Sequence, residues 1–277
     1  MAQTATLPQN LGQIAHLLGQ LLDDNRQLFQ GTASLQVMTK EAIHGQPDFV
    51  TNLDLTIEGR LKTALSPLNI PIFAEESLTD PAILDAPYCF VIDPIDGTRE
   101  LISGRDTFST AIALLQNRRP IFGLLDFPRR NQRLAAIAGQ GATHNGQPLR
   151  LPPAGAKPPY QIAMSPFQFE SQTLAPLRQQ LANQGANLWP MGSLTAKVAA
   201  VALGQADGAF FWPTPTKIAA LWDFAAAGLI LKEAGGHFRA IDGSDLLTCP
   251  PLIHPNGWLA TTPTTYPFLL KQIKAYY

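Results

Sequence analysis

Cysteine and closely spaced histidine are scarce in this sequence. It contains only two cysteines, Cys89 and Cys249, without CxxC spacing, and none of its five histidines stands at zinc-ligand spacing from another. A disulfide framework and a zinc site built from these residue types are therefore disfavoured. We expect both thiols to be reduced and structural.

The chain also lacks long apolar runs and an excess of either charge. No uninterrupted apolar segment is long enough to span a bilayer, and the N-terminal segment MAQTATLPQN has none of the features of a secretory signal. The 20 basic and 21 acidic residues leave a formal charge of −1, which gives no reason to expect a nucleic-acid polymer or a membrane as partner. We expect a cytoplasmic protein that handles any anionic ligand in a local site.

Helical and strand patterns mix along the whole chain. Apolar residues recur at helical spacing over 11–30, and Thr51 followed by Asp54 is typical of a capped helix that runs to about Leu65. Strands are predicted at 70–74, 88–92, 107–115, 121–127, 134–138, 148–151, 161–165 and 208–212, and further helices at 171–184, 192–203 and 224–234. This mixture without internal repeats predicts an α/β fold of stacked, α+β-like layers.

The segment PPAGAKPP at 152–159 is the best candidate for a linker. It predicts an N-terminal α+β domain over 1–152, with most of the candidate site acids, and a C-terminal α/β domain over 153–277 with Asp223.

Two of the predicted strands end in carboxylates. Glu75 follows the strand IPIFA, and Asp93 and Asp96 follow the strand YCFVI. A carboxylate at the end of a buried strand must be solvated, paired or bound to a metal. Asp93 and Asp96 stand three residues apart around a proline, so their side chains can converge, together with the Ile95 carbonyl. An isolated DxxDG segment would indicate a surface turn, but the second acidic strand end favours a cation site.

Four other positions join this candidate site. Gly97 permits a close backbone approach, and the amides of Gly97 and Thr98 are free for a phosphate group if a helix begins there. Asp223 opens a predicted helix, where it can cap the helix, face a metal, or do both. Asp48, beside a proline, is by local sequence a turn residue. Oxygen ligands of this kind suit a hard cation such as Mg²⁺ or Mn²⁺.

Four motifs in order resemble the inositol monophosphatase superfamily of Mg²⁺-dependent, lithium-sensitive phosphatases. They are PDFVT…D, FAEES, IDPIDGT and WDFAAAGLILKEAGG, and together they span roughly residues 40–245. The resemblance implies an αβαβα sandwich, often a homodimer. It also implies two or three Mg²⁺ ions, with Mn²⁺ as a possible substitute, and a small-molecule phosphate ester as substrate.

The resemblance also implies roles for individual residues. The attacking water would be oriented and activated by Asp48, Thr98 and Glu75. The metal ligands would be Glu75, Asp93, the Ile95 carbonyl, Asp96 and Asp223. The substrate side would use Asp96, Gly97, Thr98, Ser193 and Lys217, although Ser193 is equally well explained as a helix cap.

The substrate stays open at this point. The stretch GAFFWPTPTKIAALW carries no carboxylate where inositol phosphatases are expected to place one, and Lys217 within it can meet a second anionic group instead. The segment DGTRELISGRDTF is similar to relatives that act on histidinol phosphate or on 3′-phosphoadenosine nucleotides. We therefore expect a Mg²⁺-dependent phosphomonoesterase with inositol phosphate, histidinol phosphate or adenosine 3′,5′-bisphosphate as substrate. The rival interpretation is a relative that binds metal and phosphate without turnover.

Overall fold

Two β-sheets alternate with three layers of helices in the computed structural model. The structure describes residues 10–30, 35–41, 47–151, 158–214, 218–248, 252–254 and 257–276. The helices are α1 Leu11–Asn25, α2 Asn52–Leu65, α3 Thr98–Ile102, α4 Pro166–Glu170, α5 Ala175–Asn183, α6 Leu194–Ala202, α7 Leu221–Glu233 and α8 Tyr266–Lys274. The strands are β1 Val37–Glu41, β2 Pro47–Thr51, β3 Ile72–Ala74, β4 Tyr88–Asp96, β5 Ser109–Gln116, β6 Arg119–Phe127, β7 Gln132–Ile137, β8 Gly141–His144, β9 Gln147–Leu149, β10 Tyr160–Met164, β11 Ala186–Pro190, β12 Gly208–Phe211, β13 Ala219–Ala220, β14 His237–Ala240, β15 Ile253–His254 and β16 Trp258–Thr261.

The larger sheet has seven strands in the order β3-β4-β5-β6-β7-β8-β9. The pair β3–β4 is parallel, and every later pair is antiparallel. The smaller sheet has five strands in the order β11-β10-β12-β16-β14, with parallel pairs on either side of β10 and antiparallel pairs on either side of β16. Because β3 and β4 run side by side in the same direction, their carboxyl ends meet at one edge of the larger sheet.

Side chains alternate between the two faces of each sheet and define the layers. Along β4, Phe90 and Ile92 belong to the core shared with α1 and α2, whereas Cys89 and Val91 belong to the core on the opposite face. The opposite core also contains apolar residues of α6, α7 and one face of the smaller sheet. The far face of the smaller sheet packs against α5 and α8. The predicted αβαβα layering is confirmed.

Helix α7 occupies the middle layer and lies very close to the larger sheet. A Cβ on Gly123 of β6 would be 2.9 Å from the Ala226 carbonyl oxygen of α7. The small residues of the FAAAG segment therefore let helix and strand approach at backbone distance. The same helix contacts β14 of the smaller sheet.

The two large sheets fall on either side of the predicted domain boundary, with β3 to β9 before it and β10, β11, β12, β14 and β16 after it. The pairs β1–β2 and β13–β15 form two further two-stranded sheets. Residues 152–157 of the candidate linker lie outside the described residues. The division into domains 1–152 and 153–277 stays a prediction. In the described part of the chain, no helix combines the length and the hydropathy needed to cross a bilayer.

Candidate metal centre

Three aspartates from separate parts of the sequence converge at the carboxyl end of β4. Asp93 and Asp96 belong to β4 and Asp223 to the first turn of α7, and one carboxylate oxygen of each lies within 4.8 Å of the others. Pairing between β4 and β5 loses one residue of register between Asp93 and Asp96. A bulge of this kind re-aims side chains, and here both aspartates belong to the cluster.

The charges of this cluster require a cation or protons. Burial raises the pKa of Asp93 well above its usual range, and the carboxylates of Glu75, Asp96 and Asp223 add to this effect. Burial and acidic neighbours also raise the pKa of Asp223 well above its usual range. Asp93 is 1% exposed, and its Oδ1 atom has no hydrogen-bond partner. A buried oxygen without a partner, next to two further carboxylates, fits a hard divalent cation.

Asp223 lies three residues into the helix rather than at its cap. Helix α7 begins at Leu221, and the backbone N–H of Ala220 donates to Asp223 Oδ2 at 2.6 Å. The prediction that Asp223 opens the helix was therefore wrong by two positions. Its two predicted functions are nevertheless compatible, because it bonds the backbone before the helix and also belongs to the acidic cluster.

Glu75 reaches the same place from β3. Its backbone N–H donates to the Ile92 carbonyl at 3.1 Å, which extends the parallel pairing and brings Glu75 beside Asp93. A side-chain hydrogen bond joins the two carboxyl groups. Burial raises the pKa of Glu75, and the ammonium of Lys40 opposes that rise.

Lys40 of β1 is a site residue that the sequence did not reveal. Its Nζ atom donates to Glu75 Oε1 at 2.7 Å and to Glu76 Oε1 at 2.6 Å. Burial lowers the pKa of Lys40, but the two glutamates outweigh burial and leave the pKa above its usual value. Nothing in the local sequence of β1 links Lys40 to an acidic segment 35 residues further on.

The carboxylate that contacts Thr98 is Asp54, a residue to which the family resemblance assigned no role. The Thr98 hydroxyl oxygen lies 3.2 Å from Asp54 Oδ1 and 3.2 Å from the Ile95 carbonyl oxygen, so its single hydrogen can point to either acceptor. Asp54 is fully buried, whereas Asp48 is partly exposed and faces the Arg99 guanidinium at 3.6 Å. Burial raises the pKa of Asp54, and hydrogen bonds from Thr51 and Thr98 oppose that rise. Asp54 reaches Thr98 because the first turn of α2 points inward, and the role implied for Asp48 in orienting the water stays a prediction.

Gly97 adopts a left-handed conformation that its neighbours require. Its φ is 95°, and a Cβ there would lie 2.9 Å from the Ser193 Cβ and 3.2 Å from the Thr107 carbonyl oxygen. Thr98 then begins the short helix α3, as predicted. That Gly97 and Thr98 bind a phosphate group stays a prediction.

Ser193 belongs both to a helix cap and to the site. Its Oγ accepts from the backbone N–H of Ala196 at 3.0 Å and donates to Asp96 Oδ2 at 2.5 Å. The backbone N–H of Thr195 adds a hydrogen bond of 2.6 Å to the same Asp96 oxygen. The beginning of α6, from the second half of the chain, therefore fixes the orientation of Asp96 in the first half.

A cavity of about 460 Å³ opens above the acidic cluster. Its outer wall is partly aromatic, with Phe167 and Phe211 in edge-to-face contact at 6.2 Å and the Arg99 guanidinium 4.6 Å from the centre of the Phe49 ring. Arg105 also lines the cavity, but Glu100 binds its Nε at 2.6 Å and neutralises its charge. Lys217 and Cys249 lie outside the described residues.

Comparisons with known proteins agree with this arrangement. A family model described as the inositol monophosphatase family matches residues 10–276. A protein named Nus factor SuhB from Pasteurella multocida is 32% identical over 199 residues, which is 68% of this chain and 70% of that protein. The inositol-1-monophosphatase ImpA of Mycolicibacterium smegmatis is 28% identical over 237 residues, or 82% and 81% of the two chains.

A solved structure shares the fold. The crystal structure of an IMPase/NADP phosphatase complexed with Mg²⁺ and phosphate superposes with a TM-score of 0.78 at 21% identity, over 95% of each chain. The family match over residues 10–276 and the 32% identity to SuhB show that the chain belongs to the inositol monophosphatase family.

Proposed function

We propose that this protein is a Mg²⁺-dependent phosphomonoesterase that hydrolyses a small phosphate ester. The observation that carries the proposal is the convergence of Asp93, Asp96 and Asp223 beside Glu75, with the Asp93 Oδ1 atom buried and without a partner. Several buried carboxylates that repel each other would destabilise a core that bound no cation.

The residues that would hold the cations are Glu75, Asp93, the Ile95 carbonyl, Asp96 and Asp223. We propose two or three Mg²⁺ ions, with Mn²⁺ as a substitute, because the donors are all hard oxygen atoms. Bound Mg²⁺ would supply Lewis-acid stabilisation of the phosphoryl oxygens and a nucleophilic water at neutral pH.

Thr98 and Asp54 are suited to orient that water. Because the Thr98 hydroxyl donates its hydrogen to Asp54 or to the Ile95 carbonyl, its oxygen can accept a hydrogen bond from a water in the cavity. Asp54 is itself held by the backbone N–H of Thr51 at 2.8 Å, so the pair is preorganised. We therefore propose Asp54 in the role that the sequence had suggested for Asp48.

The charge of the cavity supports the requirement for metal ions. A phosphate monoester is an anion, and the described lining contains Glu75, Asp93, Asp96 and Asp223 close to its floor. Without cations these carboxylates would repel the substrate. The Gly97 and Thr98 amides and the Ser193 hydroxyl would then hold the phosphate and the leaving group around the neutralised cluster.

The substrate is proposed only as a class. The related ImpA is named an inositol-1-monophosphatase, and the structural neighbour is named an IMPase/NADP phosphatase, so cyclitol and nucleotide phosphates are both reasonable. The aromatic outer wall suits a ring-bearing alcohol. We further propose that the protein acts in the cytoplasm as a homodimer, as the family resemblance implies.

Phosphate release from a panel of esters tests the proposal. The panel should contain inositol 1-phosphate, histidinol phosphate, adenosine 3′,5′-bisphosphate, NADP and a sugar phosphate, each measured with Mg²⁺ and with a chelator. We expect release from at least one ester with Mg²⁺ and none with the chelator. Retained Mg²⁺ binding without release from any ester would favour the rival, a binding protein without turnover.

A further inference from the structure

A buried lysine lies beneath the loop that leads into α6. Lys197 is 2% exposed and contributes to the lining of the cavity. Its ammonium donates to two backbone carbonyls, those of Met191 at 3.3 Å and Ser193 at 2.6 Å. Burial lowers the pKa of Lys197 to about 8, although the neighbouring carboxylates act in the opposite direction.

Packing alone does not explain a lysine at this position. The other buried residues of α6 are Leu194, Thr195 and a run of alanine and valine. Removing an ammonium from water costs several kcal/mol in real proteins, and an unbranched apolar side chain would fill the same space. The two carbonyls that the Lys197 ammonium binds therefore indicate the function of its charge.

The loop that carries those carbonyls is tightly constrained. Ser193 has a φ of 59°, a conformation that strains the backbone of a residue other than glycine. A Cβ on Gly192 would overlap the Glu100 carboxylate, and a Cβ on Gly97 would lie 2.9 Å from the Ser193 Cβ. A strained loop persists only where its surroundings hold it in place.

The loop delivers four hydrogen bonds to one candidate metal ligand. Ser193 Oγ and Thr195 Oγ1 each donate to Asp96 Oδ2 at 2.5 Å. The Thr195 amide donates to the same oxygen at 2.6 Å, and the Leu194 amide donates to Oδ1 at 3.3 Å. The orientation of Asp96 therefore depends on where this loop lies.

We propose that Lys197 is a positioning residue. Its ammonium binds the Met191 and Ser193 carbonyls and so holds the beginning of α6 in hydrogen-bonding contact with Asp96. This contact in turn keeps the Asp96 carboxylate oriented toward Asp93. The assignment rests on the proposed function, because it gives Lys197 a part in holding the metal centre. It acts through the loop and does not require contact with the reacting atoms.

The variant Lys197→Met tests this assignment, since methionine keeps the length of the side chain and removes the charge. We expect kcat for the fastest ester of the panel to fall by about 10- to 100-fold, as small misplacements of a site do. Mg²⁺ binding, measured by titration calorimetry without substrate, should weaken as well. The melting temperature should stay equal or rise, because a buried charge is removed. Lys232→Met, on the exposed side of α7, is the matched control and should change none of these quantities.

A double-mutant cycle with Ser193→Ala separates positioning from a direct role. If Lys197 acts through the loop, the double variant should lose little more activity than the more impaired single variant. Additive losses, unchanged Mg²⁺ affinity in Lys197→Met, or failure of that variant to fold would each overturn the assignment. If the wild type binds Mg²⁺ but releases no phosphate, the proposed function fails, and the calorimetric comparison still tests Lys197.

Discussion

The Thr98 hydroxyl and the Asp54 carboxylate are joined by a hydrogen bond of 3.2 Å that links α3 to the first turn of α2. The second oxygen of Asp54 accepts from the hydroxyl and the backbone N–H of Thr51, at 2.5 and 2.8 Å. One carboxylate therefore completes a helix cap and holds a site hydroxyl. The geometry of the cap sets the position of Thr98.

Replacement of Asp54 should damage catalysis more than replacement of Asp48. We expect Asp54→Asn to lower kcat by about 100-fold or more, the range for a group that assists proton movement. Asp48→Asn, which alters a partly exposed residue facing Arg99, should have a small effect. Steady-state kinetics of both variants compare the two losses in kcat. A larger loss in Asp48→Asn would restore the role that the sequence predicted for it.

Removal of Asp93 should abolish Mg²⁺ binding and stabilise the metal-free protein. Asp93→Asn removes a buried carboxylate whose Oδ1 atom has no hydrogen-bond partner and whose neighbours Glu75, Asp96 and Asp223 are acidic, so its metal-free melting temperature should rise by about 2–4 °C for each kcal/mol relieved. Mg²⁺ should raise the melting temperature of the wild type but not that of the variant.

Asp126 is the matched control for this experiment. It is 2% exposed like other buried acids, but it is paired with Arg133 at 2.8 Å and Arg26 at 3.4 Å. Asp126→Asn should lower the melting temperature, because it leaves Asp23 as the one remaining carboxylate that pairs with the Arg26 and Arg133 guanidinium groups in the described part of the chain, and should keep the response to Mg²⁺. If Asp93→Asn also lowered the metal-free melting temperature, the Asp93 carboxylate would not be destabilising.

Lys40 should compete with metal ions for Glu75. Because its ammonium lies 2.7 Å from a Glu75 oxygen, Lys40→Met should tighten Mg²⁺ binding, by several-fold in calorimetry, through loss of local positive charge. Lys62 is a suitable control, since it pairs with Glu58 at 3.0 Å and does not touch the cluster. Weaker Mg²⁺ binding in Lys40→Met than in Lys62→Met would show instead that Lys40 aligns Glu75.

Glu100 should contribute stability that is lost in acid. Burial raises its pKa, but hydrogen bonds from Arg105 and Thr107 outweigh burial and leave the pKa below its ordinary value. The folded state thus holds this proton less tightly than the unfolded chain. The stabilisation is present above the ordinary glutamate pKa of about 4.3 and disappears as the pH falls through the lowered value.

Melting curves of Glu100→Gln between neutral and acid pH check this expectation. The wild type should melt higher than the variant above about pH 5, and the gap should close below the ordinary glutamate pKa. A gap that does not depend on pH would mean that the Glu100 charge adds nothing to stability.

Two glycines should respond in opposite ways to alanine. Gly59 lies in α2, and a Cβ there would meet nothing within 4 Å, so Gly59→Ala should raise the free energy of unfolding by about 0.5–1 kcal/mol. Gly192→Ala would push a methyl group into the Glu100 carboxylate and should lower both stability and activity. Denaturant unfolding of both variants measures the contrast, and equal effects would contradict it.

The acidic cluster could be predicted because strand ends concentrate its carboxylates. Glu75 follows β3, and Asp93 lies near the carboxyl end of β4, its parallel neighbour, so their meeting follows from strand order. The sequence did not identify Asp54 as a site residue, because its spacing from Thr51 was already explained by helix capping. One carboxylate has two oxygens and can therefore serve both functions. The sequence did not identify Lys40 and Lys197, because their contacts depend on how separate elements pack. Local sequence periodicity does not encode that packing.

Helix α7 stands between the two sheets and contributes its side chains to a core that contains residues of both. Separation of either sheet from α7 would therefore expose the same alanine- and leucine-rich surface of the helix to water. Such coupling favours melting as a single cooperative unit, even though the chain contains two sheets and a candidate linker between them. Asp223 lies on this helix, so the candidate metal centre should be lost at the same temperature as the fold itself.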